Sequence, residues 1–198
     1  QIILAGRKVN DGMGEFVADA AIREMVQAGL APAKAKVGVL GITFKENCPD
    51  VRNSKVEDIL KRFAQYGIHC LVSDPWADAS DAKAAYGVDL VPFEQMKDLD
   101  VVVIAVAHDK FAAMTSDDYK AQFADKSDSE KVLVDVKSIL NKSDFEAEMV
   151  RQACLISEKA FDNALGKINP EMTKYELEGV LAAGERLPSK RALAEHLR

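Results

Sequence analysis

The residues best suited to chemistry gather in one stretch, Gly41-Ile42-Thr43-Phe44-Lys45-Glu46-Asn47-Cys48-Pro49-Asp50-Val51-Arg52-Asn53-Ser54. Lys45 offers a compact point charge and Arg52 a planar fork that grips two oxygens at once. Ser54 can open a helix, and the free N–H groups of a helix start favour an anion. Two cations and a helix N-terminus make a cradle for a pyrophosphate. The same residues also suit a solvated loop in which Lys45 and Arg52 pair with Glu46 and Asp50, and spacing alone leaves both readings open.

Other candidates are isolated. The dinucleotide fingerprint is absent, because Gly38 and Gly41 are followed by no third glycine at the required spacing. Asp74 stands where a ribose-binding acid would sit in an NAD domain, but Asp74-Pro75 without a glycine loop reads as a turn. Lys137 follows an apolar run directly, and the bland reading is a surface lysine. His108 comes just after another such run, where a structural or solvent-exposed histidine is the simpler reading. Cys70 and Cys154 fall on apolar segments, and Cys48 has no evident base beside it. No catalytic residue and no metal site is expected in this chain.

Strands must alternate with helices to position these residues. Val37–Phe44, Ile68–Ser73, Val88–Val91, Val101–Val106 and Lys131–Val136 read as strands, short and apolar as expected of strands buried on both faces. Helical stretches are expected from Ser54 to Gly67, at Ala79–Tyr86, Asp109–Met114 and Asp117–Phe123, with a turn at Phe93–Lys97. The alternation predicts an α/β, Rossmann-like, doubly wound parallel sheet, whose ligand edge lies outside the carboxyl ends of the strands. Before it, residues 10–30 predict one apolar helix, capped by Asn10 or Asp11 and ended by Gly29 and Pro32. After it, residues 148–198 predict a helical tail.

Composition narrows the function classes. In 198 residues, 48% are hydrophobic and 29% charged, enough for a real core. The net charge of −6 argues against a nucleic-acid surface. No apolar run approaches the roughly 20 residues that span a bilayer. An odd count of three cysteines at no metal-binding spacing suggests reduced thiols and a cytoplasmic setting.

Several of these strings resemble one family. Gly41-Ile42-Thr43-Phe44-Lys45 with Asp50, Arg52 and Ser54 is similar to the GxxFK…D-x-R-x-S signature of the UDP-glucose/GDP-mannose dehydrogenases. The string FKENCPDVRNSKV resembles most the branch acting on UDP-N-acetylhexosamines for bacterial surface polysaccharides. Arg7 to Met13, Asp74-Pro75-Trp76, Ala105 to Asp109 and Val134 to Lys137 agree in order and spacing, so the resemblance covers roughly residues 1–147.

This resemblance implies an NAD-dependent oxidation of a sugar C6 alcohol to a carboxylate, through a cysteine nucleophile. It implies that Phe44, Lys45 and Lys137 contact the UDP-sugar and that Arg52 reaches NAD bound mainly by another domain. It makes residues 1–34 part of a central dimerisation helix, with a homodimer through residues 10–30, and residues 35–147 the UDP-sugar-binding domain. The family's NAD loop and nucleophile belong upstream of Gln1, so the chain alone is expected to be inactive. The alternative is a non-catalytic dimerisation or interaction module carried by residues 10–30 and the tail. Residues 149–178 faintly resemble the opening helices of creatinase-type metallopeptidases. Gly184–Leu197 faintly resembles the start of a winged-helix repressor, a reading the acidic balance opposes.

Overall fold

A computed structural model describes residues 2–140 and 144–145, with side chains from residue 12 onward. The tail expected over residues 148–198, and Cys154 within it, lie outside the described residues. The described residues from Met13 onward belong to one compact unit.

Four short strands carry the architecture: β1 (Val37–Leu40), β2 (Cys70–Ser73), β3 (Val101–Ile104) and β4 (Val132–Asp135). They form one parallel sheet in the order β2-β1-β3-β4, paired in register from Val37 opposite Cys70 and Val101, and from Val101 opposite Val132. Strand side chains alternate between faces, and here both faces are covered. Val37, Val39, Val101, Val103, Val132 and Val134 pack on one side. Leu40, Val102, Ile104 and Leu133 pack on the other, with Phe93, Phe111, Tyr119 and Phe123. The sequence steps outward from β1 to β2, then back across β1 to β3. The carboxyl edge therefore has a switch point between β1 and β3, where open α/β sheets bind ligands.

The helices follow their periodicity and caps. Helix α1 (Ile2–Gln27) buries Val17, Ala18, Ala21, Ile22 and Met25. Helix α2 (Val56–Gln65) buries Val56, Ile59 and Phe63, at i, i+3 and i+7. Gly14 lets α1 approach α2, since a Cβ there would lie 2.6 Å from that of Asp58. Helix α3 (Ala79–Tyr86) starts on Asp78, whose carboxylate accepts from Ser80 and Asp81 N–H, and ends on left-handed Gly87. Helices α4 (Asp109–Ala112) and α5 (Ser116–Lys120) follow β3, α5 opened by a Thr115–Asp118 capping box.

Several expected boundaries are corrected. The helix does not start at Asn10 or Asp11; both lie inside α1, which extends back to Ile2. The first strand stops at Leu40 rather than Phe44, because Gly41 takes φ +91° and turns the chain out of the sheet. The expected strand Val88–Val91 is reduced to one parallel bridge between Leu90 and Val72. The helix at Asp109–Met114 ends at Ala112, and that at Asp117–Phe123 spans Ser116–Lys120. Ser54 does support α2, its Oγ accepting from Val56 N–H at 3.2 Å, while Lys55 occupies the cap position.

Candidate functional site

The loop from Gly41 to Lys55 leaves the carboxyl end of β1 and is tied down along its backbone. Gly41 sets its direction: the left-handed φ excludes most side chains, and a Cβ there would meet that of Val106 at 2.4 Å. Asp74, just past β2, reaches across to the loop. Its Oδ2 accepts from Ile42 N–H at 2.6 Å and Thr43 N–H at 3.2 Å. Its Oδ1 accepts from Trp76 N–H at 2.8 Å and Ala77 N–H at 2.9 Å. Burial alone would raise the pKa of this carboxyl above its ordinary 3.8, but these bonds and His108 prevail and hold it at about 2.

His108, wholly buried beyond β3, completes the cluster. Its Nδ1 accepts from Asn47 N–H at 3.0 Å. Its Nε2 lies 3.1 Å from both Asp74 Oδ2 and Thr43 Oγ1. Further along, Ser54 Oγ donates to Thr43 O at 3.1 Å, Phe44 N–H donates to Asp50 O at 2.7 Å, and Tyr86 of α3 donates to Val51 O. The loop is thus fixed by groups from β2, β3 and α3.

Its side chains are presented outward. Phe44 is 58% exposed, and Lys45 is exposed beside it. Arg52 is exposed and lies against Asp50, Nε to Oδ1 at 2.9 Å and Nη2 to Oδ2 at 2.8 Å. That fork is the ion pairing which the solvated-loop reading anticipated for Arg52. The hydrogen bonds from Arg52 hold the Asp50 carboxyl at about 2. On the far side of β3, Lys137 follows β4 and is exposed, its N–H donating to Asp135 Oδ1 at 3.2 Å. Lys45, Arg52 and Lys137 therefore stand in loops on one carboxyl edge, those of β1 and β4, with β3 between. A cleft of about 270 Å³ opens on the same edge, lined in part by Asp74, Pro75, Leu90, Pro92, Lys110 and Phe111.

Asp74 and His108 matter more than their isolated appearance in the sequence suggested. Each follows a strand that flanks β1 in a parallel sheet, which is the signal that could have brought them together. Burial pushes the half-buried Cys70 thiol up to about 12, which disfavours the thiolate. Among the described residues there is no cluster of metal-ligating side chains, and no helix is long and apolar enough to cross a membrane.

Comparison with known proteins finds relatives of this domain in sequence and in fold. A family model described as "UDP-glucose/GDP-mannose dehydrogenase family, UDP binding domain" matches residues 38–142. The UDP-N-acetyl-D-glucosamine 6-dehydrogenase of Pseudomonas aeruginosa is 40% identical over 142 residues, covering 72% of this chain and 33% of that protein. Protein CapL of Staphylococcus aureus is 38% identical over 144 residues, covering 73% and 33%. The chain thus spans about a third of the length of the curated relatives it matches. In fold, it is similar to the NDP-N-acetyl-D-galactosaminuronic acid dehydrogenase of Methanosarcina mazei Go1, with TM-score 0.63 and 22% identity over 76% of this chain and 32% of that one.

Proposed function

Because this chain belongs to the UDP-glucose/GDP-mannose dehydrogenase family through its UDP-binding domain, we propose that its carboxyl-edge loops bind the UDP-sugar substrate of an NAD-dependent 6-dehydrogenase. The observation that carries this reading is the β1 loop, whose backbone is fixed by three other elements while Phe44 and Lys45 face solvent. Lys45 supplies a cation to the polar groups of the ligand, Phe44 an apolar surface, and Lys137 a second cation from the β4 side. The names of the relatives favour a UDP-N-acetylhexosamine as the sugar.

NAD does not fit the described residues as a resident ligand. The turn after β1 is packed against Val106 rather than open to a pyrophosphate, and the acid after β2, Asp74, has its side chain shielded from solvent with both oxygens already accepting. In this proposal NAD is bound mainly outside the described residues, and Arg52 reaches toward it with its fork. Residues 35–147 act as the UDP-sugar-binding domain, and the helix over residues 10–30 joins two copies. The 59% exposure of apolar Val26 supports such a contact, and sedimentation of a Val26→Asp variant checks it. Polysaccharide precursor synthesis in the cytoplasm is the proposed setting.

Calorimetry with UDP-N-acetylglucosamine on the full chain tests the reading. Binding is expected, and Lys45→Ala should weaken it about tenfold or more, the loss of one charge-assisted contact. A chain that ignores UDP and UDP-sugars would refute it.

A further inference from the structure

We propose that His108 is a positioning residue for the Phe44–Lys45 segment: it holds Thr43 and Asn47, on either side of that segment, and itself never touches the ligand. This rests on the reading that Phe44 and Lys45 contact the UDP-sugar.

The hydrogen bonds define one proton arrangement. Asn47 N–H donates to Nδ1, so that nitrogen carries a lone pair and the ring proton sits on Nε2. Nε2–H then points between Asp74 Oδ2 and Thr43 Oγ1. Thr43, accepting there, sends its own hydroxyl proton to Lys45 O at 3.1 Å. One buried ring is thereby linked to the backbone before Phe44, to the carbonyl of Lys45 and to the amide of Asn47. Asn47 Oδ1 also returns to Asp109 N–H at 3.1 Å, and Asn47 holds a left-handed φ of 52°. A histidine that merely filled the core could be satisfied within β3 and α4. Here the backbone of His108 is satisfied within its own segment, by Val106, Phe111 and Ala112, but every polar partner of its ring except Asp74 belongs to the β1 loop. Fixing three residues before the ligand arrives removes an ordering cost from binding.

Four proteins test this: the wild-type chain, Thr43→Val, Thr43→Ser and His108→Gln. Thr43→Val keeps shape and burial while removing the hydroxyl between His108 and Lys45. His108→Gln keeps a donor toward Asp74 at the Nε2 position but places no acceptor at the Nδ1 position that faces Asn47 N–H. Amide hydrogen exchange without ligand should accelerate at residues 44–47 in Thr43→Val and His108→Gln, and not across β1–β4. Calorimetric affinity for UDP should fall about 3- to 10-fold in Thr43→Val, as for one neutral hydrogen bond, with the melting temperature within about 4 °C of wild type. Thr43→Ser should restore both exchange and affinity.

Wild-type exchange at residues 44–47 in both variants would overturn the proposal. So would UDP affinity unchanged in both, or no rescue by Thr43→Ser. If the wild-type chain itself ignores UDP, the functional reading fails and the positioning role with it. The exchange data then still show whether the clamp exists.

Discussion

Asp74 and Asp135 occupy matching stations on the carboxyl edge, one just past β2 and the other at the end of β4, and both side chains are buried. Each accepts backbone N–H groups, yet from different places. Asp74 takes two from its own turn, Trp76 and Ala77, and two from Ile42 and Thr43, 32 and 31 residues away. Asp135 accepts from Lys137 N–H at 3.2 Å and Leu140 N–H at 2.8 Å, both in the turn that follows it. Asp74 has His108 as well, and its carboxyl is pulled down to about 2 despite burial. At Asp135 burial dominates, and the carboxyl is pushed above its ordinary 3.8. The first carboxylate binds two strands' loops together, whereas the second closes a local turn at some electrostatic cost. The β1 half of the candidate site is therefore tied to a neighbouring strand's loop, whereas the bonds of Asp135 in the β4 half are local.

Four outcomes sharpen or break this contrast. The largest effect is expected where the β1 loop begins. Gly41→Ala combines an unfavourable φ with a clash on Val106, and should cost about 3 kcal/mol or more in chemical denaturation. Asp74→Asn comes next at about 3 kcal/mol, because either amide orientation aims an NH2 group at backbone donors. Asp135→Asn meets the same clash but sheds a buried charge, so about 1 kcal/mol is expected. Equal losses in the two Asn variants would erase the distinction between the halves.

Acid should separate the same two residues. Asp74 has a folded value of about 2 against an ordinary 3.8. Its contribution is present in full above pH 3.8 and lost as the pH falls toward 2. Asp135 is raised, so its ionised form costs stability and that cost is relieved as the pH falls through its folded value. Denaturation curves from pH 6 to 2.5 should show Asp74→Asn losing part of the acid sensitivity of the wild type, and Asp135→Asn losing none.

Much of this arrangement was legible in the sequence, for physical reasons. The Val101–Val106 run could be little else than a doubly buried strand, and Gly67 and Gly87 marked helix ends through their left-handed φ. The position of Phe44, Lys45 and Arg52 at the ligand edge followed from a parallel sheet alone. Strand lengths did not follow. Gly41 ends β1 because of a packing contact with Val106, and that contact belongs to tertiary structure. Val88–Val91 has strand composition, but only Leu90 bridges to β2. Asp74 looked like a turn residue, which it is, while its bonds to Ile42 and Thr43 depend on β2 lying beside β1. His108 looked structural for the same reason: its partners are 61 and 65 residues away in sequence on the loop side.

The most direct test of the account is an amide chemical-shift map of the isotopically labelled chain titrated with UDP-N-acetylglucosamine. The account predicts shifts concentrated in residues 42–47 and 136–138, and none on the amino edge of the sheet near Lys36 and Asp100. Shifts confined to that opposite edge, or none at saturating ligand, would contradict it.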